Sequence, residues 1–445
     1  MSEKRQIIFI ERVLWAGGAE KVVYDLAHGL DRERFEVHIV CLFEQQDIPI
    51  SFAPDISVYF IKPLMSELAQ DGIMEVQNTG MTKPHVVRRA HDFLRRKYIK
   101  WEGKLGRFLG FDETASVQHT EAKRSNLSML FQSATAWWPY VLGLQQILKN
   151  FRSDALLVPI MEEATILVWL SQLVERRPYI ASLHSVESYN MKLIYPEPKR
   201  LLTEEWMFAS ACQSSDLVTV PSNGCRNDLN KSYNIPYNHI KVIPNPVDVN
   251  LICSRSKVSA PSLESKARTK FVYVGRLDQD KNPLLLIEAA HLLRKNYDDF
   301  AVYFAGKGAL YDELQSRIKA LGLQDRVFLL GEVTNPYQLM SQARSLVLTS
   351  QVESFALVIV EAMLCGAVPV AVDCPFGPRE ILDGGKFGLL TPVGDHQALA
   401  DAMQRIACDD NLYMELRELG FKRAQQYDIS KVIFEWEQIF DNSTS

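Results

Sequence analysis

Between residues 271 and 372, short apolar runs alternate without a break with stretches of helical period, and this regularity constrains the fold more than any other feature of the chain. Strands are expected at 271–275, 301–305, 326–330, 346–349 and 368–372, with helices at 283–295, 309–321, 336–343 and 356–365. Near-continuous apolar strands separated by helices imply a parallel sheet covered on both faces. Loops leaving the carboxyl ends of such strands are where open α/β sheets bind ligands.

The amino-terminal part begins in the same way. An apolar strand at 6–10 runs through WAGGAE into a helical pattern of Val22, Val23, Leu26 and Leu30, and a second strand follows at 37–43. Gly17 and Gly18 serve either a tight turn or the close approach of a phosphate or sugar to a helix N-terminus. The chain lacks GxGxxG here, so no dinucleotide fingerprint is indicated. From about 63 to 150 the alternation lapses into an irregular, partly helical segment that reads as an insertion; strands resume at 154–158, 179–183 and 217–222. VIPNPVD at 242–248, stiffened by Pro244 and Pro246, reads as the exit from this part, and the polar residues 254–268 as a linker.

At 445 residues the chain exceeds what one core usually supports. The expected architecture is therefore α/β with two doubly wound, Rossmann-like domains facing across a cleft: 1–250 with the insertion at about 63–150, 269–425, and a helix in 426–445 packing back on the first domain.

Composition removes several function classes. A formal charge of −5 gives no reason to expect nucleic acid as a partner. Seven scattered cysteines without CxxC read as reduced thiols. No stretch reaches the roughly 18 apolar residues of a membrane span, and the first residues are too short for a signal-peptide core, so a cytoplasmic chain with at most peripheral membrane contact is expected. Between Lys83 and Arg107 nine basic residues face Asp92 and Glu102 and alternate with aromatic and apolar side chains; the segment 83–109 either lies on an anionic membrane surface or is a solvated face. Trp137, Trp138 and Tyr140 are either core or an interfacial anchor.

Four loops of the second domain carry polar residues. Arg276 and Lys281 precede a helix opened by Pro283, where two cations and a helix dipole suit a diphosphate. Gly306 frees backbone for a ligand or simply turns, and Val333 follows Gly331-Glu332 where backbone could meet a base. Glu353 and Glu361 stand eight positions apart. If the interval were wholly helical they would be roughly 12 Å apart. That exceeds the reach of a hydrolytic carboxylate pair, about 5 to 9.5 Å, so they more plausibly hold two ends of one long polar ligand. Amides of Ser354, Phe355, Ala356 and Leu357 lie at the helix start, and His184 follows the strand at 179–183, as either a structural residue or a ligand contact.

Together GRLDQDKN, ESFALVIVEAMLCGAVPV, DCPFGPREI, VIPNPVD and the amino-terminal GGAE resemble the large family 4 of retaining, nucleotide-sugar-dependent glycosyltransferases of GT-B architecture. The resemblance covers nearly all of the second domain, the beginning of the first and residues 179–248, and is weak or absent over 63–150. It implies that Arg276 and Lys281 bind the donor diphosphate without a metal ion, that Glu361 holds the ribose hydroxyls and Glu353 the transferred sugar, and that His184 contacts that sugar and polarises the reaction centre. Gly17 and Gly18 would border the donor across the cleft, with Gly306, Val333, Ser354, Phe355, Ala356 and Leu357 completing the donor site. The implied reaction transfers a hexose, from a UDP- or GDP-linked donor and without a further cofactor, to a glycan acceptor, lipid-linked if the basic insertion touches membrane or acceptor. Where the family commonly has EGFG this chain has Glu353-Ser354-Phe355-Ala356, and Asn282 replaces a frequent glycine; both changes bear on sugar identity. A sugar phosphorylase or nucleotide-sugar epimerase shares the architecture, and a silent nucleotide-binding subunit is disfavoured by the intact site residues.

Overall fold

The computed structural model describes residues 3–14, 18–44, 51–63, 121–258 and 266–443. Gly17, the basic stretch 83–109 and part of the expected linker lie outside the described residues. The chain divides into two units, one of Met1–Val220, Arg226–Lys241 and Glu437–Ser445, the other of Pro221–Cys225 and Val242–Trp436.

In the first unit, β1 (Arg5–Glu11), β2 (Phe35–Cys41), β3 (Ser57–Phe60) and β4 (Leu156–Pro159) form a parallel sheet in the order β3-β2-β1-β4. Bridges Leu157 to Tyr179 and Ile160 to Ser182 continue it towards β5 (Ile180–Ser182), β6 (Leu217–Val220) and β7 (Ile240–Val242). Ile7, Ile8, Phe9 and Ile10 are all fully buried, which is why this strand reads as continuous rather than alternating apolar sequence. The strand order reverses between β1 and β4, a topological switch point.

The segment expected to be an irregular insertion up to about 150 is helical from Glu121 to Leu148. Val141, Leu144 and Leu148 make its buried stripe, at the 3–4 spacing of one helix face, so these turns belong to the core of the first unit. Pro139 inside the helix and its mixed polarity disguised the period. At the other end of the chain, Phe440 meets Phe9 and Phe35 edge to face with ring centroids 6.5 and 6.0 Å apart.

The second unit holds β8 (Thr269–Val274), β9 (Phe300–Ala305), β10 (Val327–Gly331), β11 (Ser345–Leu348), β12 (Val368–Val372) and β13 (Leu389–Thr391), all parallel, in the order β10-β9-β8-β11-β12-β13. The order reverses between β8 and β11. Every residue of β9 is buried, as a central strand covered on both faces requires. The chain joins this unit at Val242 rather than near 250, because Val247 and Ile252 are buried in its core and the Val247 amide donates to the Tyr427 carbonyl at 3.0 Å. The helix Val249–Ser256 takes up the start of the expected linker, and the tail resolves into helices His396–Cys408, Asp410–Ala424 and Ile429–Asn442.

Candidate functional site

The switch point of the second sheet brings together the loops after β8 and β11. The Tyr273 hydroxyl donates to the Arg276 carbonyl at 2.7 Å, and the Leu277 amide donates to the Lys307 carbonyl at 2.8 Å, fixing the first loop. The second is tied to it by Thr349 Oγ1 donating to the Lys281 carbonyl and the Gln351 amide donating to the Asp280 carbonyl, both at 2.8 Å. These bonds place Lys281 Nζ 2.6 Å from Glu353 Oε1, which also accepts from Ser350 Oγ at 2.7 Å. With side chains 23% and 12% exposed, this ion pair is shielded enough to hold both charges in place. The carbonyl and amide of Glu353 are held in turn by the Gly377 amide and the Pro375 carbonyl, next to Phe376 at φ 80°.

Arg276 is placed differently. Its guanidinium forks onto Asp278 at 2.5 Å and Asp280 at 2.7 Å, with 63% of the side chain exposed. Exposed pairs of this kind are worth little, so an incoming oxyanion can replace these carboxylates at small cost. Asn282 closes the loop in the left-handed region at φ 45°, just before Pro283 opens the next helix. That conformation explains why a glycine would be at home there and why asparagine tolerates it.

Glu353 lies outside any helix, because Ala356 takes the left-handed conformation (φ 70°, ψ 59°) and the helix begins only at Leu357 and runs to Leu364. The N-terminal end of the helix therefore lies at Leu357, and within its first turn the Ile359 amide donates back to the Ala356 carbonyl at 3.0 Å. Phe355 is 4% exposed and packs edge to face on Tyr427 with centroids 5.3 Å apart, so its side chain serves the core and only its backbone can face a ligand. Glu361 accepts from the Tyr337 hydroxyl at 3.1 Å. Burial, then the charge of Glu361, pushes the Tyr337 pKa upward and keeps it a proton donor. Sequence reasoning missed Tyr337; the available signal was a tyrosine just inside the Pro-opened helix after β10.

A cavity of about 270 Å³ lies over Gly275, Arg276, Gly306, Val333 and Pro336. Its floor needs Gly306, since a Cβ there would stand 1.8 Å from the Gly275 carbonyl oxygen. The Gly306 amide donates to the Gly331 carbonyl at 2.7 Å, joining the loops after β9 and β10. Thus Arg276, Lys281, Gly306, Val333, Glu353, Ser354, Ala356, Leu357 and Glu361 all lie in the second unit, around the carboxyl ends of β8 to β11.

His184 and Gly18 lie in the first unit. His184 follows β5 with Nε2 2.9 Å from Ser182 Oγ, which accepts from Thr219 Oγ1 at 3.1 Å, so two neighbouring strands orient the ring. Gly18 opens the helix Gly18–Gly29, and a Cβ there would meet nothing within 4 Å, so space does not demand glycine. The first unit also holds an unexpected set of buried acids, Glu11, Glu162 and Glu187. Burial holds the Glu11 and Glu187 carboxyls well above the usual carboxylate range, Glu20 adding to the first effect and Glu162 to the second. Among the described residues no group of histidine, cysteine and acids could hold a metal ion, and no helix is long and apolar enough to cross a membrane. None of the seven cysteines is in a disulfide.

Residues 254–423 match the family model of glycosyl transferases group 1, and residues 106–251 that of glycosyltransferase family 4. The chain is 30% identical over 52% of its length to an N-acetylgalactosamine-N,N'-diacetylbacillosaminyl-diphospho-undecaprenol 4-alpha-N-acetylgalactosaminyltransferase of Campylobacter jejuni, the match spanning 61% of that enzyme. It is 31% identical over 45% of its length to a phosphatidyl-myo-inositol mannosyltransferase of Mycobacterium leprae, spanning 52% of it. The match therefore spans only about half to three fifths of these relatives. Among solved structures, HepE of Anabaena in complex with UDP superposes with a TM-score of 0.68 at 19% identity, covering 98% of this chain and 99% of that one. Sucrose-phosphate synthase of Thermosynechococcus elongatus gives 0.70 at 17% identity, covering 98% of both.

Proposed function

This chain belongs to the family 4 glycosyltransferases of GT-B fold, and on that premise we propose that it transfers a hexose, with retention, from a nucleoside-diphosphate sugar to a lipid-linked glycan acceptor. The observation that carries the reading is the Lys281–Glu353 pair at the switch point, with Arg276 on one side and the helix Leu357–Leu364 on the other. Lys281, Arg276 and the positive end of that helix are the groups that meet charge growing on a departing diphosphate, without calling on a metal ion. Arg276 exchanges its two aspartates for phosphate oxygens. Glu353, already oriented by Lys281 and Ser350, accepts from hydroxyls of the transferred sugar, while Glu361 accepts from the ribose diol. His184 keeps the role that the resemblance implies for it.

Catalysis then comes from holding the donor in a reactive pose and stabilising the leaving group, with the departing phosphate taking the acceptor proton. UDP bound in HepE supports uridine as the donor base, and the undecaprenol-diphosphate substrates named for the Campylobacter enzyme support an isoprenoid-diphosphate-linked acceptor. Such an acceptor puts the reaction at the cytosolic membrane face, with the segment 83–109 as the proposed contact. The test is a panel of UDP- and GDP-sugars with an undecaprenyl-diphosphate-linked N-acetylhexosamine. Nucleotide release that requires acceptor, a product of retained anomeric configuration and insensitivity to EDTA are expected. Sugar release driven by inorganic phosphate would instead establish a phosphorylase.

A further inference from the structure

Two carboxyl groups with no part in the donor site lie sealed inside the first unit. Glu162 and Glu187 stand in the first turns of the helices Met161–Ser171 and Glu187–Ile194, which follow the bridged strands β4 and β5, and are 4% and 1% exposed. Their carboxyls are within hydrogen-bond reach of each other. Glu187 Oε1 accepts from Ser185 Oγ at 2.6 Å, and the Glu162 carboxyl accepts from its own amide. That leaves Glu162 Oε2 and Glu187 Oε2 buried with no donor among the described residues. Ionised carboxylates only accept, so a contact between two of them is a hydrogen bond only when a proton lies between them.

The surroundings favour keeping that proton. Glu11 at the end of β1, Glu163 and Asp228 bring negative charge towards the pair, while Arg12, the cation that faces Glu162, is bound to Glu163 at 3.0 Å. Cys212, Tyr195 and Tyr233 also face the pair, and burial raises the pKa of each, so they bring no charge. Met161, immediately before Glu162, is held in the left-handed region at φ 68°, a strained conformation at the point where the acid turns inward. The pair thus joins the loops after β4 and β5, and the second of these carries His184. That loop is fixed at its start by the Leu183 amide, which donates to the Thr219 carbonyl at 2.9 Å. At its end the Ser188 amide and hydroxyl donate to Asp228 at 3.2 and 2.5 Å, beside the Glu187 contact.

We propose that Glu162 and Glu187 share one proton and in that form act as positioning residues for His184, an assignment that rests on the transfer reaction and the His184 role proposed above. Removing the proton leaves two buried anions in contact; they separate, and the loop 183–188 moves with Glu187. Burial raises both carboxyls above the usual range, and Glu162 adds to the effect on Glu187. The protonated pair is therefore complete at low pH and is lost as pH rises through the raised value, so its loss falls on the alkaline side of the activity profile.

Infrared spectroscopy of the full chain and the pH profile of kcat test the proposal together. The C=O stretching band of protonated carboxyls should persist above the pH at which exposed carboxyls have ionised, and Glu187→Gln or Glu162→Gln should remove one carboxyl's share of it. Wild-type kcat should fall on an alkaline limb while far-UV circular dichroism and UDP affinity stay constant. In Glu187→Gln, whose amide donates to Glu162 at every pH, that limb should disappear. Glu187→Leu offers no donor and should lower kcat about tenfold or more with little change in the KM for the nucleotide sugar, a loss that glutamine at the same position reverses. An unchanged carboxyl band in both glutamine variants, or kcat profiles that superimpose on the wild type, overturns the shared proton and leaves the transfer reading standing. Absence of transfer by the wild type with every donor and acceptor removes the reaction and the positioning role together.

Discussion

Lys281 and Glu353, separated by 72 positions in the chain, meet at 2.6 Å across the switch point of the second sheet. The pair is made by topology, since parallel strands β8 and β11 are neighbours in space and each sends its loop from the same end of the sheet. It holds the Lys281 side chain in place and commits Glu353 Oε1 to both Lys281 and Ser350.

The pair separates structure from catalysis when both members are changed. Lys281→Met should lower stability by up to about 3 kcal/mol, because Glu353 is left shielded without its partner. Adding Glu353→Gln should restore most of the thermal midpoint while turnover stays at least about a hundredfold down. Recovery of turnover along with stability would show that the pair is structural only.

Tyr337 acts through Glu361. Tyr337→Phe removes one hydroxyl and should raise the KM for the nucleotide sugar by a factor of about five to ten with little change in kcat. The ratio of affinities for UDP and its 2′- and 3′-deoxyribose analogues should shrink by a similar factor. A purely packing role would leave that ratio unaltered.

Ala356 carries a left-handed backbone that its side chain disfavours by about 1 kcal/mol. Thermal midpoints should order as Ala356→Gly equal to or above wild type, with Ala356→Val well below, since a β-branched residue resists positive φ. A valine variant as stable as wild type would contradict the conformation.

The buried acids set a pH dependence of stability in the first unit. Burial holds the Glu187 pKa in the fold well above the ordinary value of 4.5, so the folded state binds its proton more tightly than the unfolded state. Its stabilising contribution is complete below about 4.5 and is lost as pH rises towards the raised value. Glu187→Gln should therefore gain on wild type in thermal midpoint progressively from pH 5 to neutrality, a series about 1 pH unit apart sufficing to see it. A constant difference across that range would mean that Glu187 is ionised in the fold.

Much of the second unit was legible because each strand is an apolar run ended by glycine or a polar turn, with a helix between. β13 and β3, LLT and SVYF, were too short to stand out. The helix start at Leu357 was misjudged by a residue, because left-handed Ala356 looks in sequence like an ordinary helix former. The long helix before β4 was hidden by Pro139 and by residues whose burial depends on partners distant in the chain. Local motifs carry the candidate residues that the structure gathers at the switch point of the second sheet, whereas Tyr337 reaches Glu361 across 24 positions, and the Ser350–Glu353 and Tyr273–Arg276 bonds, each between residues three apart, depend on a loop geometry that no residue pattern announces.

The most direct measurement is calorimetric titration of UDP, with GDP and ADP as comparisons, into the wild type and into Arg276→Ala/Lys281→Ala. The account predicts that UDP binds the wild type and that the double variant, still folded, binds it at least about a hundredfold more weakly, each charged contact with phosphate contributing about 1.5 to 3 kcal/mol. Equal affinity in the two proteins, or no binding of any of the three nucleotides to the wild type, would contradict it.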